Sequence, residues 1–385
     1  MSKYVVEILL FAVSLLIFVK LAANDVIGNV LGNIIGFLFS TALIYAVKVI
    51  GGSLEDVLKV NFDTEKLLNI YRGDKSYRKT ISFGGTSREF AYNDCLINRN
   101  CSFEVIDEKD KHFSPDDFVM EHYDTIFAAH SNSAKFNGLT IRLDDFQREG
   151  DHCRFYLSRS TVFHHLVTNR AIDYYLFDNV TLRDMYEYGP CLTPLANSKM
   201  SNHVGVNALV FLSDGRILVP RRKRNATISK NKVTSSIAVK LDFPRAGGDT
   251  VSVEHLLRGT VIDNLGNRLN LEREMLDLDA IKVEFLGFGR NIYEAGKPQF
   301  YYAVHLNIDT AEYYRLSAGR AGNKGLDIDS LIYVADYKSY CFDKKGRLCF
   351  TAVDPKSGRK TRIVTKTEMS YLCNLWHYQL LHEEK

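Results

Sequence analysis

The sequence predicts an α+β protein in which a two-helix transmembrane hairpin is followed by an α+β region and then by an α/β/α sandwich with a mixed sheet. Three observations lead to this fold class. Two long apolar runs occupy the first 50 of the 385 residues. Segments of alternating polarity, typical of half-buried strands, lie between residues 139 and 157. After residue 202, buried strand patterns flank a long helical pattern.

The charge balance of the chain excludes a general nucleic-acid coat protein. Its 49 Lys and Arg residues are nearly matched by 46 Asp and Glu, which leaves a formal net charge of +3. A protein that coats DNA or RNA normally carries a strong basic excess. We therefore expect no DNA or RNA polymer as a partner, and we expect any anionic ligand to be bound by a local patch of cations.

The cysteines show no pattern of a disulfide framework or of a zinc site. Their number is odd, their spacing is wide, and no C-x-x-C pair occurs. We interpret them as reduced thiols and expect neither a bound metal nor another cofactor. They are Cys95, Cys101, Cys153, Cys191, Cys341, Cys349 and Cys373.

The two apolar runs, residues 4–21 and 26–49, are each long enough to cross a hydrocarbon layer of about 30 Å as a helix. The break between them is so short that it predicts a tight hairpin, which puts both ends in the same compartment. Lys3 and other basic residues near the outer ends favour a cytoplasmic soluble domain. The alternative is a signal peptide cleaved near Ala23, but Glu7 interrupts the first run and a second run follows at once.

The second run carries a small residue at every fourth position, which places these residues along one face of a helix. Helices in lipid associate through close backbone contact and hydrogen bonds, and small residues and amides provide both. The pattern predicts a packing face, either against the first helix or between copies of the protein. Its residues are Gly28, Gly32, Gly36 and Ser40, with Asn29 and Asn33 beside them.

Residues 51–200 are expected to form an α+β connecting region. Helical periodicity covers 54–71, and the segments 139–143 and 153–157 alternate as a β-hairpin around a turn at 148–151. Several polar residues of a following helical segment are interpreted as helix caps and surface charge. These are Asn169, Arg170, Thr181, Arg183 and Asp184.

Residues 201–385 show a different order of elements. Buried strand patterns come in pairs, and the turn between the first two reads Ser-Asp-Gly, which is typical of a hairpin. The apolar stripe of the last helix is expected to pack in the core. The predicted elements are strands at 204–212, 216–224 and 235–241, a Gly247-Gly248 turn, a helix beginning near residue 252, strands at 282–288 and 298–306, and a helix at 367–380.

This order, with strands that read FLGFGR and FYYAVHL, resembles a Nudix domain. The signature of that superfamily, G-x5-E-x7-R-E-U-x-E-E-x-G-U with U apolar, places carboxylates on one helix face, where they hold Mg²⁺ on a diphosphate. Gly248 and Glu254 keep the first interval and Asp263 stands in the R-E pair. Gly266 and Asn267, however, occupy the positions of the two metal-binding glutamates.

A second register takes Arg273-Glu274 as the R-E pair, but it places Asp277 and Leu278 at the metal-binding glutamates. Neither register supplies the full set of carboxylates. We therefore expect a catalytically inactive domain without catalytic residues or metal, in which Gly248, Glu254 and Asp263 are remnants of the signature. The alternative is a membrane-tethered, Mg²⁺-dependent hydrolase of a nucleoside diphosphate derivative.

A run of cations ends the second strand of the predicted hairpin, which borders the ligand cleft in Nudix proteins. Arginine forks bind phosphate through two hydrogen bonds, and aromatic rings stack on bases. The alternative is a solvated basic edge of a sheet. The expected ligand-binding residues are Arg221, Arg222, Lys223, Arg224, Lys232, Lys240, Phe243, Phe288, Arg290 and Tyr293.

Two predicted spans joined to a degenerate Nudix domain resemble the two-transmembrane SMODS-associated Nudix effectors of bacterial CBASS antiphage systems. The resemblance implies that a cyclic oligonucleotide, made by a CD-NTase enzyme during infection, binds the Nudix-like domain. The protein would then self-associate and disrupt the inner membrane, where it would lie as a two-pass protein with its N-terminus and soluble domain in the cytoplasm. The predicted domains are the anchor (1–50), the connecting region (51–200) and the Nudix-like domain (201–385).

Overall fold

The computed structural model describes most of the chain from residue 64 onward. Segments 62–173 and 180–385 form one compact unit. A second unit joins residues 1–61 to 174–179, and its described part contains a single short strand. The described residues are 64–73, 75–128, 136–177, 180–223, 231–241, 253–271, 276–318, 328–354 and 357–383.

The elements are numbered in chain order. The described helices are α1 (Thr64–Ile70), α2 (Asp117–Glu121), α3 (Tyr123–Ala128), α4 (Val162–Val167), α5 (Leu182–Tyr186), α6 (Val253–Leu269), α7 (Thr310–Ser317) and α8 (Met369–His382). The described strands are β1 (Arg78–Phe83), β2 (Thr86–Ala91), β3 (Asn93–Ile97), β4 (Ser102–His112), β5 (Leu139–Glu149), β6 (His152–Thr161), β7 (Tyr175–Phe177), β8 (Val180–Thr181), β9 (Gly205–Phe211), β10 (Arg216–Arg222), β11 (Ile237–Lys240), β12 (Lys282–Asn291), β13 (Lys297–His305), β14 (Ile328–Phe342), β15 (Leu348–Val353) and β16 (Lys360–Thr365).

The compact unit is built on a nine-stranded sheet with the order β16-β15-β14-β10-β9-β13-β12-β3, in which β11 also pairs with β9. Neighbouring strands run antiparallel, except that β9 and β13 are parallel. Every residue of β9 is buried. A strand buried on both faces must be covered from both sides, which explains why its sequence reads as a continuous apolar run.

One face of the nine-stranded sheet packs against α6 and against a second sheet with the strand order β4-β6-β5. Val261, Leu265 and Leu269 of α6 lie in this core. They are four residues apart, so they share one face of the helix. Phe155 of β6 packs on Phe288 of β12, with ring centroids 5.6 Å apart. The connecting region and the later strands thus share one apolar core.

The opposite face packs against α8 and the β1–β2 hairpin. Leu372 and Leu375 of α8 are fully buried in this second core, which confirms that the apolar stripe of the predicted C-terminal helix packs inside the protein. The side chain of His377 also points inward, and its Nε2 atom is 2.8 Å from the hydroxyl of Tyr92. The large sheet therefore carries a helix on each face.

The predicted fold class and the predicted inner-membrane location are not supported and are corrected. No helix in the described part of the chain is long and apolar enough to cross a membrane. The longest described helix, α6, has 17 residues and carries charged side chains along its length, whereas a span needs about 20 mainly apolar residues. The predicted spans lie outside the described residues, as do Gly28, Gly32, Gly36, Ser40, Asn29 and Asn33. The described structure is a mixed α/β fold with large sheets.

Two local predictions in the connecting region are confirmed. The predicted hairpin corresponds to β5 and β6, which pair antiparallel. Thr181 caps α5 in a capping box with Asp184, because each side chain accepts a hydrogen bond from the backbone N–H of the other. Arg183, by contrast, is not a surface charge: it is 1% exposed, and its Nε atom donates to Asp173 at 2.6 Å.

The boundary predicted near residue 200 falls within the compact unit. Strand β3, from the connecting region, pairs with β12, and Leu96 lies opposite Phe288. The three-domain division remains a prediction. The structure describes only the part of the helix predicted over 54–71 that forms α1.

Gly287 provides a test of how β3, β12 and α8 pack together. Its φ of 150° is unfavourable for any residue with a side chain. An added Cβ would collide with the carbonyl oxygen of Leu96 and with the ring of His377. We expect Gly287→Ala to lower the free energy of unfolding by about 3 kcal/mol, measured by urea denaturation.

Gly259→Ala is the matched control for Gly287→Ala. Gly259 lies within α6, and nothing stands within 4 Å of an added Cβ. Because alanine favours helix over glycine by about 1 kcal/mol, this variant is expected to be as stable as the parent or more stable. Equal stability losses in the two variants would contradict the described packing at Gly287.

Candidate functional site

The nine-stranded sheet opens at the end where β9 begins and β10 ends. There the segment 232–240 lies between the two strands. Its first part pairs with the end of β10, since Arg222 N donates to Lys232 O at 2.9 Å, and its last part pairs with β9 as β11. At the bend between the two parts, Ser236 Oγ accepts from Val210 N at 2.8 Å and donates to Leu218 O at 2.5 Å. The inserted segment thus separates β9 from β10 without leaving these backbone groups unpaired.

Charged side chains from five parts of the fold meet at this open end. The Nε atom of Arg222, on β10, donates at 2.9 Å to Oε1 of Glu368, which lies just before α8. Arg170, in a turn after α4, donates from Nη1 to Glu294 Oε1 at 3.0 Å. We call the set consisting of Arg170, Arg222, Lys232, Lys297, Glu294 and Glu368 the basic cluster.

The connection between β12 and β13 supplies two members of the basic cluster. Glu294 ends a short 3-10 turn, and Lys297 begins β13. Lys297 Nζ is 3.7 Å from Glu294 Oε2. Asn291 also donates to Glu294 Oε2 at 3.0 Å. Glu294 is thus held by two cations and an amide.

Cations outnumber carboxylates in the basic cluster, and the pKa values of its lysines are lowered. Burial lowers the pKa of Lys297, and the nearby charges of Arg170 and Arg222 lower it further, while Glu294 and Glu368 oppose the shift. Burial also lowers the pKa of Lys232, which lies near Glu368 but also near further cations. Burial raises the pKa of Glu294, but Lys297 and Arg170 outweigh it and hold that pKa at about 2. The cluster therefore combines four basic side chains with two carboxylates, of which Glu294 is ionised at neutral pH.

A stacked pair of histidines lies beside the basic cluster. The rings of His165 and His203 have centroids 3.7 Å apart and are inclined by 24°. Burial lowers the pKa of His203, and both His165 and the ammonium of Lys297 lower it further. His203 is therefore neutral at pH 7 and adds no charge to the cluster.

Two of the predicted ligand-binding cations, Arg222 and Lys232, belong to the basic cluster. Arg221 is half-buried at the end of β10, opposite Val233. Lys223 is half-buried one residue beyond β10. Lys240 is exposed and donates to the carbonyl of Leu139 at 3.0 Å. Arg224 lies outside the described residues.

The other predicted ligand-binding residues have structural contacts. Phe288 is fully buried between the two sheets, so its ring is not available to stack on a base. Arg290 is 4% exposed and donates to the carbonyls of Gly296 and Thr193. The Tyr293 hydroxyl is 2.6 Å from the hydroxyl of Thr64. Phe243 lies outside the described residues.

The degenerate Nudix signature is only partly described. Asp263 is half-buried on α6. Gly248 and the side chain of Glu254 lie outside the described residues. In the part of the chain that the structure describes, no group of three or more His, Cys, Asp or Glu residues is arranged to hold a metal ion.

Sequence reasoning missed four members of the basic cluster. Glu294, Lys297 and Glu368 are charged residues with no motif around them, and the tertiary fold brings the turn at 294–297 close to Glu368 and Arg222. Arg170 falls in the segment whose polar residues the sequence predicts to be helix caps and surface charge. One signal was present: the short segment 294–297 carries opposite charges next to a Gly, as expected for a tight turn between strands.

A shallow depression lies at the opposite end of β9, beyond the hairpin turn. Its lining includes Asp309 and Glu312 together with Arg315. Arg315 is already paired with Glu312 at 2.6 Å. Because its charge is mainly acidic, this depression is less suited to an anionic ligand than the basic cluster.

Neither a family model nor a curated protein matches the sequence. The resemblance to Nudix effectors therefore remains a prediction, and function is inferred from the basic cluster.

Glu294 provides a test of the electrostatics of this cluster. Its pKa of about 2, compared with an ordinary 4.5, means that ionised Glu294 stabilises the fold above pH 4.5 and that this contribution is lost as the pH falls toward 2. We expect Glu294→Gln to lower the free energy of unfolding at pH 7 by about 3 kcal/mol. The loss should shrink at pH 3, measured by urea denaturation at both pH values.

Glu312→Gln is the control for this experiment, because it makes the same change in an exposed ion pair on α7. It should alter the stability little at either pH. If Glu294→Gln were as mild as Glu312→Gln at pH 7, Glu294 would not be held as the structure indicates.

Proposed function

We propose that this protein binds a phosphorylated ligand in the basic cluster, that the ligand is a cyclic oligonucleotide, and that binding rather than hydrolysis is its activity. The observation that carries the proposal is the excess of cations over carboxylates in a half-buried site. The side chains of Arg222 and Lys297 are each only 11% exposed. Charges held close together and partly out of water are costly unless an anion compensates them.

The arrangement of the cations favours phosphodiesters. Arg170 and Arg222 stand on separate elements, and each is already oriented by its own carboxylate. A guanidinium fork can bind a phosphate with two hydrogen bonds, and a lysine ammonium adds a point charge. A cyclic di- or trinucleotide presents singly charged phosphates at separate points of a ring. Such a ligand matches spaced cations better than a diphosphate, whose concentrated charge is usually neutralised by Mg²⁺.

Glu294 and Glu368 would take part in selecting the ligand. Each carboxylate offsets part of the positive charge of the site and so reduces the repulsion among the cations. A ligand with little negative charge, such as a phosphodiester, can then balance the charge that is left. The amide of Asn291 fixes Glu294 in place.

Lys232 provides the direct test of this proposal. Isothermal titration of the full-length protein with cyclic di- and trinucleotides should detect binding that weakens as salt is added. A hydrogen bond to a charged group contributes about 1.5–3 kcal/mol, so Lys232→Ala should weaken binding by about 10- to 100-fold. The recovered ligand should be chemically intact by chromatography after incubation with Mg²⁺.

Arg154→Ala is the matched control, since it removes a cation from β6 that is paired with Glu104 at 3.1 Å, away from the cluster. This variant should bind as tightly as the parent. Equal binding by the Lys232 and Arg154 variants, or turnover of the ligand, would contradict the proposal. Thermal unfolding of both variants would show that each is folded.

Self-association on binding is the second part of the proposed function. A ligand that prefers the associated form shifts the population toward it by its difference in affinity for the two forms. We expect the sedimentation coefficient of the full-length protein to rise when the bound cyclic oligonucleotide is present. An unchanged sedimentation coefficient at saturating ligand would limit the function to binding alone.

A further inference from the structure

Two cysteines lie directly opposite each other on neighbouring strands. Cys341 of β14 pairs with Cys349 of β15 in the antiparallel register. Residues so paired point to the same face of a sheet, with Cα atoms about 4.5 or 5.5 Å apart. Disulfides span Cα distances of about 4.4–6.8 Å. The two thiols are therefore within reach of a disulfide without rearrangement of the strands.

One guanidinium contacts both thiols. Arg362, on the adjacent strand β16, has its Nη2 atom 3.9 Å from Cys341 Sγ. It also hydrogen-bonds to Cys349, and this contact raises the pKa of Arg362. A guanidinium only donates hydrogen bonds, so both sulfurs accept in these contacts, while the Cys349 thiol itself donates to the carbonyl of Arg347 at 3.7 Å.

The two thiols differ in their access to solvent. Cys341 is half-buried, whereas Cys349 is 1% exposed. A soluble oxidant would therefore meet Cys341 first, and Cys349 would stand behind it as the second thiol. This is the order that a peroxide-reactive cysteine and its resolving partner require.

Two other cysteines of the described chain, Cys153 and Cys95, are shielded by burial. Cys153 is hydrogen-bonded to Cys101, but burial raises the pKa of Cys153 to about 11. Burial also raises the pKa of Cys95 to about 12. The thiols of Cys153 and Cys95 therefore remain protonated at neutral pH, and the hydrogen-bonded pair of Cys101 and Cys153 serves as an internal comparison.

We propose that Cys341 and Cys349 form a reversible disulfide, with a peroxide as the oxidant. The Cys341 thiolate attacks one peroxide oxygen, the O–O bond breaks, and the leaving hydroxide takes up a proton to become water. The resulting sulfenic acid is attacked at sulfur by Cys349, which forms the S–S bond and releases a second water. Two thiols are oxidised and one hydrogen peroxide is reduced to two waters; a dithiol reductant reverses the change.

Peptide mapping tests this directly. Full-length reduced protein is treated with hydrogen peroxide, its remaining thiols are blocked with N-ethylmaleimide, and it is digested with trypsin without reduction. The expected product joins the peptides 339–344 and 348–356 through a disulfide and is lost on treatment with dithiothreitol. Failure to form this product while Cys101 and Cys153 become linked would overturn the proposal.

Two variants separate the chemistry from non-specific oxidation. In Cys349→Ser, a sulfenic acid should persist at Cys341 and be trapped by dimedone, because its resolving thiol is gone. Arg362→Gln should slow disulfide formation several-fold, since it removes the positive charge beside both sulfurs. Oxidation that proceeds equally fast in Arg362→Gln would remove the arginine from the mechanism, and the absence of dimedone labelling in Cys349→Ser would contradict attack by Cys341.

Discussion

The position of the basic cluster depends on one constraint, the insertion of segment 232–240 between β9 and β10. Two strands in the interior of a sheet normally satisfy each other's backbone groups, and separating them leaves polar atoms unpaired at a cost of about 1–3 kcal/mol each. The Ser236 hydroxyl removes part of this cost, because it bonds to Val210 on one strand and Leu218 on the other. The opening is therefore a stable part of the fold.

This opening brings together charges that no single element could assemble. Backbone pairing of Val233 with the segment before α8 places Glu368 beside Arg222. The turn between β12 and β13 brings Lys297 and Glu294 to the same place from the other side. Since the four cations are held by different parts of the fold, they cannot separate to relieve their repulsion. An anion bound there would also stabilise the folded state by mass action.

The predicted fold class was wrong, but several local elements of the fold could be predicted from the sequence. The hairpin of β5 and β6, the capping box at Thr181 and the buried stripe of α8 all arise from residues close together in the chain. The site could be predicted only in part. The run of cations after β10 pointed to Arg222, but Glu368 lies 146 residues farther along the chain, and no local pattern links the two.

The sequence does not show which aromatic residues belong to the site. Phe288 follows a strand pattern that fits equally well with a ligand-facing ring or with a core ring, and the choice depends on what covers that face. The cover comes from β6, whose Phe155 lies in a distant part of the sequence. Charged residues posed the reverse difficulty, since Arg290 and Arg183 are both buried as structural donors. Residue type alone therefore does not show whether a side chain faces a ligand or stabilises the fold.

The pairing of β3 with β12 limits how this protein can have evolved. A gene segment that begins after residue 200 would encode a sheet in which β12 is an unpaired edge strand. It would also lack the aromatic side chains of β6 that pack on the central strands. Recombination at that point would expose the unpaired backbone groups of an edge strand, and such groups favour aggregation. The two halves are therefore expected to be inherited together rather than exchanged as separate modules.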